Sequence, residues 1–463
     1  MKTKLRPNRA KESLRALQYI ALLFSFFSMM MLSFSYLGEV AFGFFIGIPP
    51  LFAFLAGKRK TYLFIVYFVC VCFAVGQRTV HWGHARFVPS EVLLWTLGLL
   101  CFKLRPRNSS IRYPLPFVVY TLFIASFVVL IISLLSASDI TIPVCWAKMV
   151  LLPLPTFMVC RTFLDSFEQI ETFSMLLCVE CLYLSLLALS EYFNLPIVGL
   201  FGGYLQNLSS ETVEGFNRLG ACFWGGYMLA GFLLVCFPIG LALFFSAKTL
   251  TIRIIAASSL FFSLIEIYLS GYRSLWLIGF LTISLFFLLR GARSIFLLCF
   301  LFGIGLHFVP ESGKERAQTV YGEKRDSSSK ERENRAAEAW ALIKANPILG
   351  NGWGASGLVH SDWLQLWADA GIIPFSSFIL LFLNVIRRLY LTIRRTRDEK
   401  FKNYIYGFLT SALCMLLIFS VQAIFSLPEN YTPMWFILGI AFMFPAIIRI
   451  EMNSRLESNA VSK

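Results

Sequence analysis

The sequence predicts an all-α fold, a polytopic bundle of transmembrane helices with one large extracytoplasmic loop that contains short helices. Three observations support this prediction. Of the 463 residues, 57% are hydrophobic and only 14% are charged, whereas soluble domains are about a quarter charged. The 48 Phe side chains are more rings than a soluble core of this size buries. Long apolar stretches recur along the whole chain. Together, these three observations exclude a water-soluble enzyme, a disordered chain and a small disulfide scaffold.

The apolar stretches predict about 12–14 spans, since a spanning helix needs about 20 mostly apolar residues. The span at 88–102 is short enough to lie in the interface, and the span at 39–56 contains glycines and prolines that would break a helix. The candidate spans are 17–37, 39–56, 62–77, 88–102, 116–136, 143–160, 172–190, 221–246, 252–270, 275–289, 294–309, 372–386, 404–425 and 434–449.

The distribution of basic residues predicts the orientation. The net charge is +15, and alternate loops between the spans are basic, which is the positive-inside pattern. We therefore expect no nucleic-acid partner and both termini in the cytoplasm. The predicted regions are a basic N-terminus at 1–16 leading into an uncleaved first span, transmembrane helices at 17–309, a large outer loop at 310–371, further transmembrane helices at 372–449 and a cytoplasmic tail at 450–463. The 11 Cys have no zinc-binding spacing and are interpreted as apolar fillers.

Several charges lie where the orientation disfavours them. Arg218 and Arg273 fall on the outer side, next to span ends, and this predicts an anionic ligand. Glu266 lies seven residues before Arg273, on the same helix face and about two turns deeper. It is interpreted as a brace that orients Arg273 through an intervening group, or as part of a proton path. Lys148 is expected to pair with Glu180 or Glu266.

The outer loop is predicted to contain a helix at about 329–344, which begins with the capping-box spacing Ser328 to Glu331 and ends at Asn346-Pro347. Arg332 and Arg335 are three residues apart and share a face of it. They either bind an anion or form local pairs with Glu331 or Glu338.

Four glycines follow within eight residues, at 350, 352, 354 and 357. A dinucleotide fingerprint is excluded because no β-α-β context exists. We expect a flexible or tightly turned loop whose backbone approaches a ligand or the membrane surface. His360 then precedes a helical run, where the helix dipole favours the neutral imidazole. His360 is interpreted as a general base for a hydroxyl acceptor, or as a helix cap.

The stretch from Arg335 to Gly371 resembles the signature of the O-antigen ligase and polysaccharide polymerase superfamily. The matching residues are Arg335, Trp340, Pro347-x-x-Gly350-x-Gly352, and His360-Ser-x-Trp363-Leu through Asp369-Ala-Gly371. Upstream, "NRLGACF" at Arg218 and "LSGYRS" at Arg273 are similar to two further elements, so that the likeness covers roughly 218–385. Arg335 lies five residues before Trp340 where four is common in the family, and this leaves Arg332 as the alternative.

The resemblance implies a glycosyltransferase of the bacterial inner membrane with its active site on the periplasmic face and with no cofactor and no metal. The donor would be a glycan carried on undecaprenyl diphosphate, held beside membrane lipid. The acceptor would be a lipid A–core sugar in a ligase, which we favour, or another carrier-linked glycan in a polymerase. A flippase or transporter of lipid-linked sugars is the alternative of a different class, and a binding-only membrane scaffold is another. A transporter is expected to show inverted repeats, and none is evident.

The resemblance also implies roles for individual residues. His360 would be the catalytic base and Arg273 the catalytic cation that stabilises the departing diphosphate, with inversion at the anomeric carbon. Substrate binding is assigned to Arg218, Arg335, Arg332, Trp363 and Gly352. Glu266 and Asp362 would support these residues from behind. The arginines and His360 are expected around one outward-facing cavity. No role is assigned to Arg78, Arg86, His81 and His84, although their loop is compatible with an acceptor entrance.

Overall fold

A computed structural model of the protein describes part of the chain, and the fold is described for that part. The described residues are 80–82, 85–87, 91, 94, 95, 98, 101, 116–193, 195, 211–213, 216–218, 226–291, 327–422 and 428–461.

Twelve helices are defined in these residues. They are α1 (Phe117–Ser136), α2 (Thr141–Leu151), α3 (Pro153–Phe163), α4 (Phe167–Tyr192), α5 (Gly226–Ser246), α6 (Leu250–Leu269), α7 (Arg273–Arg290), α8 (Ser327–Ala345), α9 (Asp362–Ala370), α10 (Ile372–Arg395), α11 (Glu399–Val421) and α12 (Pro428–Val461). All except α8 and α9 contribute to membrane spans. The described residues contain nine helical segments that are long and apolar enough to cross a membrane, with α2 and α3 forming one segment together.

The prediction of a polytopic helical bundle is confirmed, and each of the nine segments overlaps one predicted span. The five described positions between 91 and 101 are helical as well. The predicted spans at 17–37, 39–56, 62–77 and 294–309 lie outside the described residues. The last helix, α12, continues to Val461, beyond the predicted end of its span at 449.

Two short β-hairpins accompany the helices and were not predicted. Strand β1 (Val80–Trp82) pairs with β2 (Ala85–Phe87), which places His81 opposite Arg86. Strand β3 (Glu211–Val213) pairs with β4 (Phe216–Arg218), which places Glu211 opposite Arg218. Strands of three residues carry too short an alternation of apolar and polar side chains to be recognised in a sequence.

Helix α5 forms the centre of the bundle. Of the residues in its most apolar 18-residue stretch, 89% are buried, compared with 28% for the same stretch of α1 at the periphery. Helix α5 packs on α4, α6 and α11. The backbones come close at Gly407 of α11, where an added Cβ would lie 2.9 Å from the carbonyl oxygen of Pro238 in α5. The Ser411 hydroxyl of α11 also donates a hydrogen bond to the Val235 carbonyl of α5.

The two ends of the bundle differ in charge. Near one end, Lys400 at the start of α11 pairs with Glu171 of α4 at 2.5 Å, and Arg290 at the end of α7 lies 3.5 Å from the ring centre of Phe245 in α5. The last turn of α10, with Arg394 and Arg395, is at the same end. The segment between α8 and α10 is at the other end, where α6 leads into α7. The basic side chains at the ends of α7 and α10 and at the start of α11 therefore lie at the opposite end of the bundle from His360.

A buried ion pair joins α2 to the helical residues before α1. The Lys148 ammonium lies 3.0 Å from the Glu91 carboxylate, and the two side chains are 8% and 3% exposed. The prediction that Lys148 pairs with Glu180 or Glu266 was therefore wrong. Glu180 and Glu266 lie within apolar spans, as Lys148 does, so the sequence offers both as partners. The packing of the helices decides which carboxylate contacts Lys148. Gly98, seven residues after Glu91, contacts Pro155 of α3 so closely that a Cβ would collide with it.

We predict that Glu91→Gln strongly lowers the stability of the purified protein, because it leaves the Lys148 ammonium buried without its counter-charge. The loss from breaking such a pair is about 3–5 kcal/mol. The double variant Glu91→Gln/Lys148→Met removes both charges and should recover most of the stability. Thermal unfolding in detergent measures both, and an equal loss in the single and double variants would contradict the assigned pair.

Candidate active site

Helices α8 and α9 form a small layer of their own outside the spans. They pack through a compact apolar cluster that contains Ala339, Ile343, Val359 and Ala368. Arg332 lies seven residues before Ala339 and therefore on the same face of α8. The predicted helix at 329–344 is confirmed with slightly wider bounds, and its packing directs Arg332 towards the segment before α9.

The glycine turns of the loop pack against the carboxyl end of α9. The Asn351 amide donates to the Ala368 carbonyl at 3.0 Å, and the Gly352 amide donates to the Asp369 carbonyl at 2.9 Å. Gly350 has φ +73, and an added Cβ would collide with the Asp369 carbonyl, just as one on Gly371 would collide with the Ile348 carbonyl. The glycines therefore permit both a left-handed backbone and this close approach.

Asp369 holds the next part of the loop. One carboxylate oxygen accepts a hydrogen bond from the Gly354 amide at 3.0 Å, and the other accepts one from the Ser356 amide at 2.8 Å. Burial raises the pKa of Asp369 to about 6, while the hydrogen bonds from Ser356 and Gly354 act in the opposite direction. The Asp369-Ala-Gly371 stretch of the motif therefore packs against the glycine turns and holds them in place.

The loop is also anchored to the membrane-spanning bundle. The backbone amide of Trp353 donates to the Ser133 hydroxyl of α1 at 2.9 Å, and its indole N–H donates to the Ser126 carbonyl at 3.2 Å. An added Cβ on Gly354 would lie 2.5 Å from Ile142 of α2. The predicted tight turns are confirmed, and their backbone packs against α1, α2 and α9. The expected approach of this backbone to a ligand or the membrane surface stays a prediction.

His360 directly precedes the N-cap of α9. Ser361 is that N-cap, and its hydroxyl accepts a hydrogen bond from the Leu364 amide at 3.5 Å. The His360 imidazole is half-buried. Its pKa is lowered below the ordinary value, first by burial and then by the charge of Arg332, with Arg335 adding to the effect and Glu331 opposing it. Burial, two guanidinium groups and the positive end of the helix dipole all favour the neutral, proton-accepting imidazole.

Arg335 was predicted either to bind an anion or to form a local ion pair, and its position is compatible with both. Its guanidinium lies 3.3 Å from the Glu338 carboxylate, so a local pair forms on the exposed face of α8. It also lines an open groove of about 600 Å³ between α8 and residues 354–357, together with Glu338, Ala341 and Leu342. Arg332 acts more strongly than Arg335 on His360. The structure therefore brings His360, Arg332 and Arg335 into one neighbourhood.

Arg273 lies at the same end of the bundle on a different element. It is the first residue of α7. The neighbouring Ser274 hydroxyl accepts a hydrogen bond at 3.1 Å from the side-chain amide of Gln422, the C-cap of α11, and Tyr272 packs edge-on against Tyr227. Helix α11 in turn contacts α9. Neither Arg273 nor His360 lines the groove at Arg335, so one cavity shared by all these residues stays a prediction.

The backbone of Arg218 lies in β4, a strand that the sequence did not predict. This strand contacts α6, the helix that leads into Arg273. The contact between β4 and α6 places the backbone around Arg218 beside the helix that leads into Arg273.

The remaining predicted site residues are buried or partly buried. Glu266 is completely buried, and among the described residues its carboxylate oxygens have no hydrogen-bond partner. Its role as a brace of Arg273 through an intervening group stays a prediction. Asp362 is buried in the first turn of α9. Trp363 packs against Phe375 with ring centres 6.2 Å apart. Gly352 lies against Ser133, where an added Cβ would be 3.2 Å from the hydroxyl oxygen.

The sequence reasoning gave Glu331 only as a local partner of the arginines, whereas its charge also acts on His360. It missed Trp353, which anchors the loop to α1, and Gln365. Gln365 is 2% exposed, and neither its amide oxygen nor its amide nitrogen has a hydrogen-bond partner in the described part of the chain. A polar side chain on the inner face of the amphipathic α9, four residues before the buried Asp369, was the available signal.

The described residues contain no group of three or more His, Cys, Asp or Glu side chains placed to hold a metal ion. The expectation that the reaction needs no metal stays a prediction.

Two glycine variants test the structure of the loop. Gly350→Ala and Gly357→Ala both place a Cβ on a left-handed backbone, with φ +73 and +63, at a cost of about 1–2 kcal/mol each. Only the Gly350 variant also collides with Asp369, since nothing lies within 4 Å of the Cβ position at Gly357. We predict more proteolysis between α8 and α9 for Gly350→Ala than for Gly357→Ala, and equal proteolysis would contradict the packing.

A second pair of variants tests the electrostatics. Arg332→Gln removes the larger of the two cationic effects on His360, so the pKa of His360 should rise towards its ordinary value. The Lys344→Gln control removes a charge from the exposed end of the same helix and should leave that pKa unchanged. Histidine-labelled NMR titration, with the His360 signal assigned by its loss in His360→Ala, measures the shift. An unchanged or lower pKa in Arg332→Gln would refute the assigned contact.

One family model matches the chain. The model described as O-antigen ligase covers residues 258–379, which run from the middle of α6 through α7, α8 and α9 into α10. None of the curated proteins matches the chain. The matched segment contains Arg273, Arg332, Arg335 and His360, and it leaves Arg218 outside. The match covers 122 of the 463 residues, and it shows that this segment is similar to the O-antigen ligase family.

Proposed function

We propose that the protein is a glycosyltransferase of the bacterial inner membrane that transfers a glycan from undecaprenyl diphosphate to an acceptor hydroxyl on the periplasmic face. We favour a lipid A–core sugar as the acceptor, which makes the protein an O-antigen ligase. The observation that carries the proposal is the environment of His360, where burial and the charges of Arg332 and Arg335 hold the pKa of the imidazole below its ordinary value. A general base must be uncharged at the moment of proton removal.

In the proposed step, the His360 imidazole takes the proton of the acceptor hydroxyl as its oxygen forms a bond to the anomeric carbon. The bond from that carbon to the diphosphate oxygen breaks, and its electron pair leaves with the undecaprenyl diphosphate. Attack from the face opposite the leaving group inverts the anomeric configuration. No electron carrier is needed, because the donor supplies its own leaving group.

The arginines supply the charge that the leaving diphosphate requires. A guanidinium binds phosphate oxygens through two parallel hydrogen bonds, and such donors stabilise negative charge that develops in the transition state. Arg273 at the start of α7 and Arg218 in the strand beside α6 are proposed to hold the diphosphate. Arg332 and Arg335 would hold the glycan end of the donor and keep His360 neutral.

The lipid part of the donor is proposed to lie along the outer faces of the bundle near α7. Leu277 and Leu281 are 60% and 45% exposed there, which suits contact with a polyprenyl chain. Trp363, beside Phe375 at the start of α10, is proposed to contact a sugar ring. Gln365 and Glu266 are proposed to support these groups from within the bundle.

The proposal is tested by replacing His360 in a strain whose chromosomal copy of the gene is deleted. We predict that His360→Ala reduces glycan transfer at least about 100-fold, the usual range for loss of general base catalysis. The exposed Lys344→Ala on α8 is the matched control and should restore transfer fully. Electrophoresis of the surface glycans measures the transfer, and membrane abundance is checked in parallel. Transfer at the normal rate by an abundant His360→Ala protein would remove His360 as the base.

The deletion strain also separates the acceptors and the rival class. Free lipid A–core together with long undecaprenyl-linked chains identifies a ligase, whereas caps of a single repeat identify a polymerase. Both are members of the same family. A flippase would transport but not join glycans, so joining of donor and acceptor by the purified protein in detergent excludes that alternative.

A further inference from the structure

A second cavity lies at the basic end of the bundle, between α10 and α12. Its volume is about 420 Å³. The cationic residues that line it are Arg388 and Arg395 of α10 and Arg449 of α12, and no carboxylate is among its described lining residues. Leu391, Ile448 and Met452 form an apolar part of the same wall.

This cavity is remote from the candidate active site. Helix α10 begins at Ile372, one residue after the loop that carries His360 and α9. Its 24 residues extend about 36 Å at 1.5 Å per residue, which is long enough to cross a bilayer core of about 30 Å. Arg395 is the last residue of α10, so that the cavity faces the opposite leaflet.

The arginines are directed by the geometry of the helices. Arg388, Leu391 and Arg395 are three and four residues apart and therefore share one face of α10, which meets α12. The Arg388 guanidinium lies 4.2 Å from the ring centre of Phe442 in α12. The neighbouring Arg394 is on another face, where its guanidinium donates to the Tyr390 hydroxyl at 2.7 Å and lies over the Tyr390 ring.

We propose that this cavity binds the phosphate headgroup of an anionic phospholipid from the leaflet opposite the active site. Guanidinium groups suit a phosphodiester because their paired N–H donors match two phosphate oxygens. Basic pockets between membrane-spanning helices are suited to anionic headgroups. The apolar wall and the exposed Leu380 and Leu383 on α10 offer a surface to acyl chains, which favours a lipid over a free phosphate ion.

The bound lipid would join α10 to α12 at one end of the bundle. Helix α10 follows the loop of His360, and α12 packs on it along the membrane. A headgroup held by arginines from both helices would resist their separation, so lipid binding is expected to stabilise the protein.

The test uses the full-length protein purified in a neutral detergent, with phosphatidylglycerol, phosphatidylcholine and inorganic phosphate as separate probes. We predict that phosphatidylglycerol raises the unfolding temperature and remains bound in native mass spectrometry, whereas the other two probes do neither. In Arg395→Gln/Arg449→Gln, phosphatidylglycerol should bind about 30-fold more weakly, since each basic residue near an anionic lipid contributes about a fivefold effect.

The matched control is Arg394→Gln, which removes a cation from the same helix turn but outside the cavity. It should bind phosphatidylglycerol as the unaltered protein does. Equal weakening in the control would show general attraction between a basic surface and anionic lipid and would overturn the proposal. An equal shift with inorganic phosphate would identify a phosphate ion site and would also overturn it. The single variant Arg449→Gln, with an expected loss of several-fold, serves if the double variant does not fold.

Discussion

The placement of His360 depends on the hydrogen bonds that hold the glycine turns against α9. The carboxylate of Asp369 accepts the amides of Gly354 and Ser356, and the main-chain carbonyls at the end of α9 accept the amides of Asn351 and Gly352. These contacts connect residues that are 13 to 17 positions apart in the chain. They close the segment that leads from α8 through His360 into α9, and this segment is in turn pinned to α1 by Trp353. A loop without these bonds would leave the imidazole free to move away from Arg332.

This packing also gives a physical reason for several residues of the motif between Arg335 and Gly371. The glycines and Asp369 are needed for packing of the backbone, because side chains larger than hydrogen at 350 and 371 would collide with carbonyl groups. His360, Arg332 and Arg335 are the residues of this segment to which we propose a chemical role. The motif thus combines residues that form the turn with the proposed functional residues beside it. The basic end of the bundle carries a separate set of arginines with no part in this turn.

Sequence reasoning anticipated the local elements well and the contacts between distant elements poorly. The helix α8 and the spans were predictable because their apolar periodicity and their caps are local properties. The partner of Lys148 was assigned wrongly, because Glu91, Glu180 and Glu266 are equivalent in sequence and only helix packing distinguishes them. The contacts of the glycine turns with α1, α2 and α9 were not anticipated, because they join segments that are distant in the chain. Arg332 and Arg335 were undecided, and the structure shows the stronger effect of Arg332 on His360.

By itself the sequence determined that this chain is a helical membrane protein, that His360 directly precedes a helix and that Arg332 and Arg335 share a face. These conclusions follow from composition and from spacing within one helix, which depend on neighbours in the chain. Only the tertiary structure decided that the charge of Arg332 acts on His360, that Lys148 pairs with Glu91 and that three arginines line a cavity at the far end. Such contacts join segments tens or hundreds of residues apart, and their choice depends on the packing free energy of the whole bundle, which no local pattern encodes.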